Sequence, residues 1–290
     1  MKLVYLGTPD AAVPPLRALV DAGHDVALAV TRADKRRGRG GALVPSPVKV
    51  AAAELGIPVT ATVDDVIDAG ADLGVVVAFG RIIKPHVLAA VPMVNLHFSD
   101  LPRWRGAAPV ERAILAGDDH TSVCLMEVEE GLDTGGVYAK EDVTIGDDET
   151  ADELRARLVD VGARLLVDTL ARWPAGPPTP QTGDPTYAEK LQPDELRLDW
   201  ARPAIELHRT VRVGDAWTTF RGHRLKVHRT RLAAGDGEGA LAPGELAGTH
   251  VGTGDGILEL VEVQPEGKGR QPAAAWRNGA RPRPGERLGA

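Results

Sequence analysis

Between Lys2 and Ser99 the sequence alternates two textures, and that alternation restricts the folds open to it. Short apolar runs, "KLVYLGT", "HDVALAVT", "IPVTA" and "DLGVVVAFG", take turns with stretches of helical spacing, "AAVPPLRALVDAG", "SPVKVAAAELG" and "KPHVLAAV". A run that is apolar at nearly every position reads as a strand buried on both faces, and strands separated by helix-length crossovers pair in parallel. The pattern predicts an α/β domain with a mostly parallel, doubly wound sheet. The punctuation agrees: Ser46 is placed as an N-cap, Pro47 at a first helical position, and Gly23 and Gly56 just past helix ends.

Sheets of this kind bind ligands beyond the carboxyl ends of their strands, where "AFG" and "MVNLHFS" both arrive. Residues i and i+2 of a strand share a face, so Asn95 and His97 project together at that end. Glycines on both sides of Asp133 in "EEGLDTGG" free a loop to carry its carboxylate to another segment. A carboxylate sets the charge and orientation of a histidine, and an amide side chain can donate to a developing oxyanion. The three together suit acyl transfer to an amine. Taken singly, each has a plainer use: His97 in a core, Asn95 at a strand end, Asp133 as a turn former. The opening "LGTPD" lacks the GxGxxG fingerprint and so predicts no dinucleotide site.

Further on, "DDETADELRARLVDVGARLLVDTLARW" is the clearest helix, capped by Thr150 or Asp148, with Leu154, Leu158, Val161, Leu165 and Leu166 on one face. Five prolines then fall within the 14 residues of "PAGPPTPQTGDPTY", a stiff and extended stretch. The first domain is therefore expected at 1–172 and a connecting segment at 173–202. Short strands and turns over 203–290, as in "RLKVHRTRL" and "GILELVEV", predict a small OB-like β-barrel. The 290 residues are 43% hydrophobic, enough to give two domains their cores. With one cysteine, Cys124, and no cluster at ligand spacing, neither an internal disulfide nor a metal site is expected. The short apolar run before Gly7, and no apolar window near the roughly 18 residues of a membrane span, predict a cytoplasmic protein. A net charge of −7 argues against a polyanionic partner, but its distribution argues otherwise. Residues 32–49 carry six cations against one acid, and residues 202–231 carry eight against two.

The strings "NLHFSDLPRWRGAAP", "GLDTG", "LGTPD", "GRGGALVPSPVK" and "VVVAFGRII" resemble the corresponding segments of the methionyl-tRNA formyltransferase family. "YAEKL", "LDW" and "GDGILELVEVQPEGKGR" extend the likeness into that family's carboxyl-terminal domain. The pattern NxHxSxLPxxRGxxP with GLDTG is shared by transferases that use 10-formyltetrahydrofolate, so it marks the chemistry; the basic loop and the second domain point to tRNA. The resemblance implies a Rossmann-like formyltransferase domain in which Asn95, His97 and Asp133 are catalytic. It implies folate along Ser99, Asp100, Leu101 and Pro102 and against the backbone around Phe79, Gly80 and Ile82. It implies tRNA on Arg36, Arg37, Arg39 and Lys49, joined in the second domain by Arg209, Arg212 and Lys268. The expected partners are folate and initiator methionyl-tRNA, with no metal and no membrane, and the chain is expected to be a monomer. Two segments depart from the family. Its "SLLP" reads "SDLP" here, so Asp100 either faces the acidic tail of folate or points outward. Its "NPWPGAW" reads "RVGDAWTTF", which keeps Trp217 but leaves another amine, such as that of an amino sugar nucleotide, open as the acceptor.

Overall fold

The structure, a computed structural model, describes residues 1–37, 41–233 and 241–289. The chain divides into two compact units, one of Met1–Val110, His120–Thr144 and Leu154–Glu189, the other of Glu111–Asp119, Ile145–Glu153 and Lys190 onward. The elements in chain order are β1 (Lys2–Gly7), α1 (Val13–Asp21), β2 (Asp25–Val30), β3 (Lys35–Arg37), β4 (Ala42–Val44), α2 (Pro47–Glu54), β5 (Val59–Thr60), β6 (Leu73–Val77), α3 (Pro85–Ala90), β7 (Met93–His97) and β8 (Arg105–Gly106). They continue as α4 (Pro109–Ala116), β9 (His120–Glu127), β10 (Val137–Thr144), α5 (Ala151–Leu170), β11 (Tyr187–Ala188) and α6 (Ala204–Val213). The last are β12 (Trp217–Phe220), β13 (His223–Leu232), β14 (Leu246–Ala247), β15 (His250–Gly252), β16 (Ile257–Pro265), β17 (Gln271–Pro272) and α7 (Ala273–Ala280).

In the first unit seven strands form one sheet in the order β10-β9-β7-β6-β1-β2-β5. The pairings among β5, β2, β1, β6 and β7 are all parallel, as helical crossovers require. Strands β9 and β10 are joined by a short loop, and that hairpin adds antiparallel to β7. All five residues of β6 are buried, which explains why its sequence shows no alternation. Val4, Leu6, Val30, Val76, Phe79, Val87 and Met93 close one core cluster. Chain order reverses between β1 and β6, so the crevice of this sheet lies at the carboxyl ends of β1, β6 and β7. Capping follows the expected chemistry: Ser46 Oγ accepts from Lys49 N at 3.0 Å, and Thr150 and Glu153 close a reciprocal box at the start of α5.

Three details differ from the sequence reading. The run "IPVTA" pairs over Val59 and Thr60 alone, and the basic loop contains a hairpin, β3 with β4. The proline-rich residues expected to connect two domains lie in the first unit. There Thr179 and Val137 exchange backbone hydrogen bonds of 2.8 and 2.9 Å, and Trp173 packs on Tyr138 with ring centroids 5.0 Å apart. A segment too rich in proline to form a ladder can still lend single carbonyls and amides to a neighbour.

The second unit is a six-stranded sheet, β12-β13-β16-β15-β14 with β17 beside β16, antiparallel throughout. Leu198, Trp200, Leu207, Val227, Leu260 and Trp276 are among its buried residues, and Phe220 meets Trp276 edge-on at 5.3 Å. Among the described residues no helix is long and apolar enough to cross a membrane.

Leu96 is 1% exposed and stands between Asn95 and His97 on the opposite face of β7, so it ties the strand to the core. Leu96→Ala is expected to cost about 2–5 kcal/mol in equilibrium denaturation. A loss below about 1 kcal/mol would show that β7 is held in place by other contacts.

Candidate functional site

Strand β7 fixes two of the polar side chains. Its neighbours are β6 on one side and β9 on the other, with Asn95 opposite Val76 and Met126 and His97 opposite Cys124. Both therefore leave the sheet on one face, two residues apart. His97 is 6% exposed.

The third side chain comes from the turn between β9 and β10. Asp133 takes a left-handed conformation, φ 50°, which an aspartate tolerates better than most residues. Gly135 must follow it closely, because a Cβ there would lie 2.1 Å from the carbonyl oxygen of Glu127. So shaped, the turn delivers the carboxylate to β7. Asp133 Oδ1 accepts from Asn95 Nδ2 at 3.5 Å, and Oδ2 lies 3.7 Å from His97 Nδ1. Oδ2 also accepts from the backbone N–H of Gly106 at 2.8 Å, the shortest of the three contacts and the one that fixes the carboxylate. Gly106 has φ 117°, and a Cβ on it would come within 3.0 Å of the Ala188 carbonyl, so only glycine brings that amide so near.

The loop after β7 orients the imidazole. His97 Nε2 lies 3.1 Å from the carbonyl oxygen of Trp104, which can only accept. Nε2 therefore carries a hydrogen, and in the neutral ring Nδ1, beside Asp133, is the nitrogen left to take a proton. Trp104 itself has φ 61° and is anchored by its N–H to Thr186 Oγ1 at 2.9 Å. Ser99 Oγ donates to the carbonyls of Arg103 and Trp104 at 2.7 and 3.3 Å. Cys124 Sγ lies 3.2 Å from the Ser99 carbonyl, and burial raises its thiol pKa to about 11, so it remains a thiol at neutral pH. A proton-accepting ring nitrogen, a carboxylate behind it and an amide donor beside it are the parts needed to add a nucleophile to a carbonyl carbon.

One member of this arrangement was not foreseen. Gln181, inside the proline-rich stretch, donates from Nε2 to the carbonyls of Asp133 and Gly135, both at 2.8 Å. Its Oε1 accepts from Arg105 Nη2 at 2.6 Å, so one amide braces the turn that carries Asp133 against the loop that bears Gly106. Its sequence signal was one polar residue among several in a proline-rich stretch, which pattern reading assigns to a linker.

The residues expected around folate fall on two loops of the first unit. Ser99, Asp100, Leu101 and Pro102 follow β7, and Leu101 is buried against Cys124 and Met126. Phe79 is buried, Gly80 has φ 69° on an exposed turn, and Ile82 is an apolar side chain 90% exposed. Asp100 is paired: Oδ1 lies 2.5 Å from Lys140 Nζ.

The expected tRNA contacts differ in how committed they are. Arg36 is exposed and donates to the Gly41 carbonyl at 3.2 Å, and Lys49 pairs with Asp34 at 2.8 Å. Arg37 ends β3, and Arg39 lies outside the described residues. Arg209 rests against Gly117 and makes no ion pair with a described residue. Arg212 is only 8% exposed and donates to the carbonyls of Glu149 and Gly146 at 2.8 and 2.7 Å, and burial is the main cause that lowers its pKa. It shapes a loop instead of facing outward. Lys268 sits in the exposed turn after β16. Five of the eight cations in 202–231 are paired in the fold, as Arg202–Glu206, Arg221–Glu286, Lys226–Asp215, Arg229–Glu153 and Arg231–Glu259. In the altered segment Trp217 lies under Arg224, 4.3 Å from its ring centroid, and donates from Nε1 to the Pro193 carbonyl at 3.1 Å.

Comparison with known proteins places this geometry. Residues 1–170 match the family model described as formyl transferase, and residues 190–281 match the one described as formyl transferase, C-terminal domain. The methionyl-tRNA formyltransferase of Heliobacterium modesticaldum is 43% identical over 316 residues, with 100% of both chains covered. That of Paracoccus denitrificans is 44% identical over 290 residues, covering 94% of this chain and 96% of its own. Among solved structures, HypX from Aquifex aeolicus in complex with tetrahydrofolic acid matches with a TM-score of 0.68 at 16% identity. That match covers 96% of this chain and 47% of HypX, so the chain spans about half of HypX and the likeness is one of fold alone.

The hydrogen-bond pattern fixes the tautomer of neutral His97. Long-range ¹H–¹⁵N correlation on the neutral ring should show Nε2 protonated and Nδ1 bare. A protonated Nδ1 in the neutral ring would contradict the role given to the Trp104 carbonyl.

Proposed function

Because the chain belongs to the methionyl-tRNA formyltransferase family, we propose that it transfers the formyl group of 10-formyltetrahydrofolate to the α-amine of initiator methionyl-tRNA. The observation that carries this reading is the convergence of Asn95 and His97 on the Asp133 carboxylate at the end of β7, in a chain 43% identical to a named relative over its whole length.

The neutral amine attacks the formyl carbon; a C–N bond to methionine forms and the bond to the folate nitrogen breaks. Asn95 Nδ2 donates to the formyl oxygen as negative charge gathers there. His97 accepts the proton released by the amine at Nδ1 and returns it to the leaving nitrogen, and the Asp133 carboxylate stabilises the imidazolium between those two events. Asp133 also holds an ordered water beside the ring.

The donor lies along Ser99, Asp100, Leu101 and Pro102 and against the turn at Phe79, Gly80 and Ile82. Support for this comes from the exposed Gly80 and the exposed Ile82, a polar edge beside an apolar surface of the kind a flat heterocycle needs. Arg36, Arg37, Arg39, Lys49, Arg209 and Lys268 contact phosphates of the tRNA, and Arg212 supports the surface behind them. The carboxyl-terminal unit serves as the tRNA-binding part. The protein works in the cytoplasm as a monomer.

Purified protein is expected to formylate initiator methionyl-tRNA from 10-formyltetrahydrofolate and to leave an amino sugar nucleotide unmodified. Formylation of the sugar amine alone would overturn the acceptor while keeping the chemistry; no formylation of either would overturn both. His97→Ala is expected to lower kcat by about 10²–10⁴ with tRNA binding and thermal stability retained, and an active variant would remove His97 from the mechanism.

A further inference from the structure

Asp100 stands where the family pattern has an uncharged residue, within the segment proposed to hold the folate donor. The inference below rests on that proposed function. The fold answers the carboxylate from the edge strand of the sheet. Lys140, on β10, reaches Asp100 Oδ1 at 2.5 Å and Asp142 Oδ1 at 3.1 Å. Asp142 is held in turn by Ser122 Oγ at 2.7 Å, and His120 Nε2 lies 4.0 Å from Asp100 Oδ2. Burial works against the Lys140 cation, but hydrogen bonds and charge from Asp100 and Asp142 outweigh it and raise the lysine pKa. Lys140 is thus a stable cation between two carboxylates, one of which belongs to the donor segment.

We propose that Lys140 is a specificity-determining residue for the formyl donor, cancelling the Asp100 carboxylate that would otherwise repel an acidic folate from its own binding loop. The alternative is that Lys140 merely holds the loop in shape, and the contacts argue against it. The loop has anchors that do not involve the ion pair: Cys124 on the Ser99 carbonyl, Ser99 on the carbonyls of Arg103 and Trp104, Arg103 N–H on the Asp100 carbonyl at 2.9 Å, and Thr186 on Trp104. Without Lys140 the loop keeps those four and loses only its compensating charge. Lys140 and Asp100 side chains are 40% and 30% exposed, so the loss does not strand a charge in the core.

A double-mutant cycle separates charge from shape. Lys140→Met should raise the KM for 10-formyltetrahydrofolate about three- to fivefold at low salt, with kcat little changed and the penalty shrinking as salt is added. Adding Asp100→Leu should return the KM toward the wild-type value, and Lys140→Arg should behave like the wild type. Titration of each variant with tetrahydrofolate, followed by tryptophan fluorescence, should give the same order without turnover. A double variant as weak as Lys140→Met, or weaker, overturns the inference and makes Lys140 a prop of the loop. A wild-type protein that binds no tetrahydrofolate overturns the proposed function and this inference together; one that binds it and transfers formyl while the cycle is additive overturns this inference alone.

Discussion

The Gly106 amide and the Asp133 carboxylate form the contact on which the site depends. A carboxylate this enclosed needs a donor, and a backbone N–H at 2.8 Å supplies one that no side-chain rotation can withdraw. Once fixed there, the carboxylate lies against both Asn95 and His97, whose positions relative to each other strand β7 sets. The left-handed backbone of Asp133, the close approach at Gly135 and the brace from Gln181 all serve to keep one turn pressed against β7. Strain at such a turn is tolerable because the surrounding bonds over-determine it.

Electrostatics in the molecule follows a different logic from the one its sequence suggests. Counted along the chain, residues 202–231 are a dense block of cations. Folded, five of the eight face carboxylates, two of these within the block itself, as Glu206 is to Arg202, and three from elsewhere, as Glu286 is to Arg221. Exposed pairs of this kind add little to stability and weaken a uniform positive field. The net charge of −7 and the block of cations are thus two poor guides to one surface.

Much of the first unit was legible because its signals are local. A fully apolar run gives a doubly buried strand, Ser46 before Pro47 gives a helix start, and two residues i and i+2 give one face. The triad was legible for the same reason: two members share a strand, and the third sits among glycines whose need for close approach is visible in the letters. What stayed hidden were contacts made over long sequence distance. Nothing near Gln181 indicates that its amide returns 48 residues to the Asp133 carbonyl. Nothing near Asp100 names Lys140, and nothing near Arg212 announces that its guanidinium is buried under the carbonyls of Gly146 and Glu149. Proline content misled for a physical reason too, since a chain that cannot form a ladder can still be bonded at single points.

The imidazole of His97 is read on its Nε2 side by a peptide carbonyl, that of Trp104. Every amino acid carries that carbonyl, so no exchange of residue 104 deletes the acceptor itself. The proton inventory of the ring is therefore written in chain geometry and not in a side chain, and mutation reaches it only by moving the loop. Drift in the coding sequence can alter what surrounds the histidine far more readily than it can change which of its nitrogens is left bare.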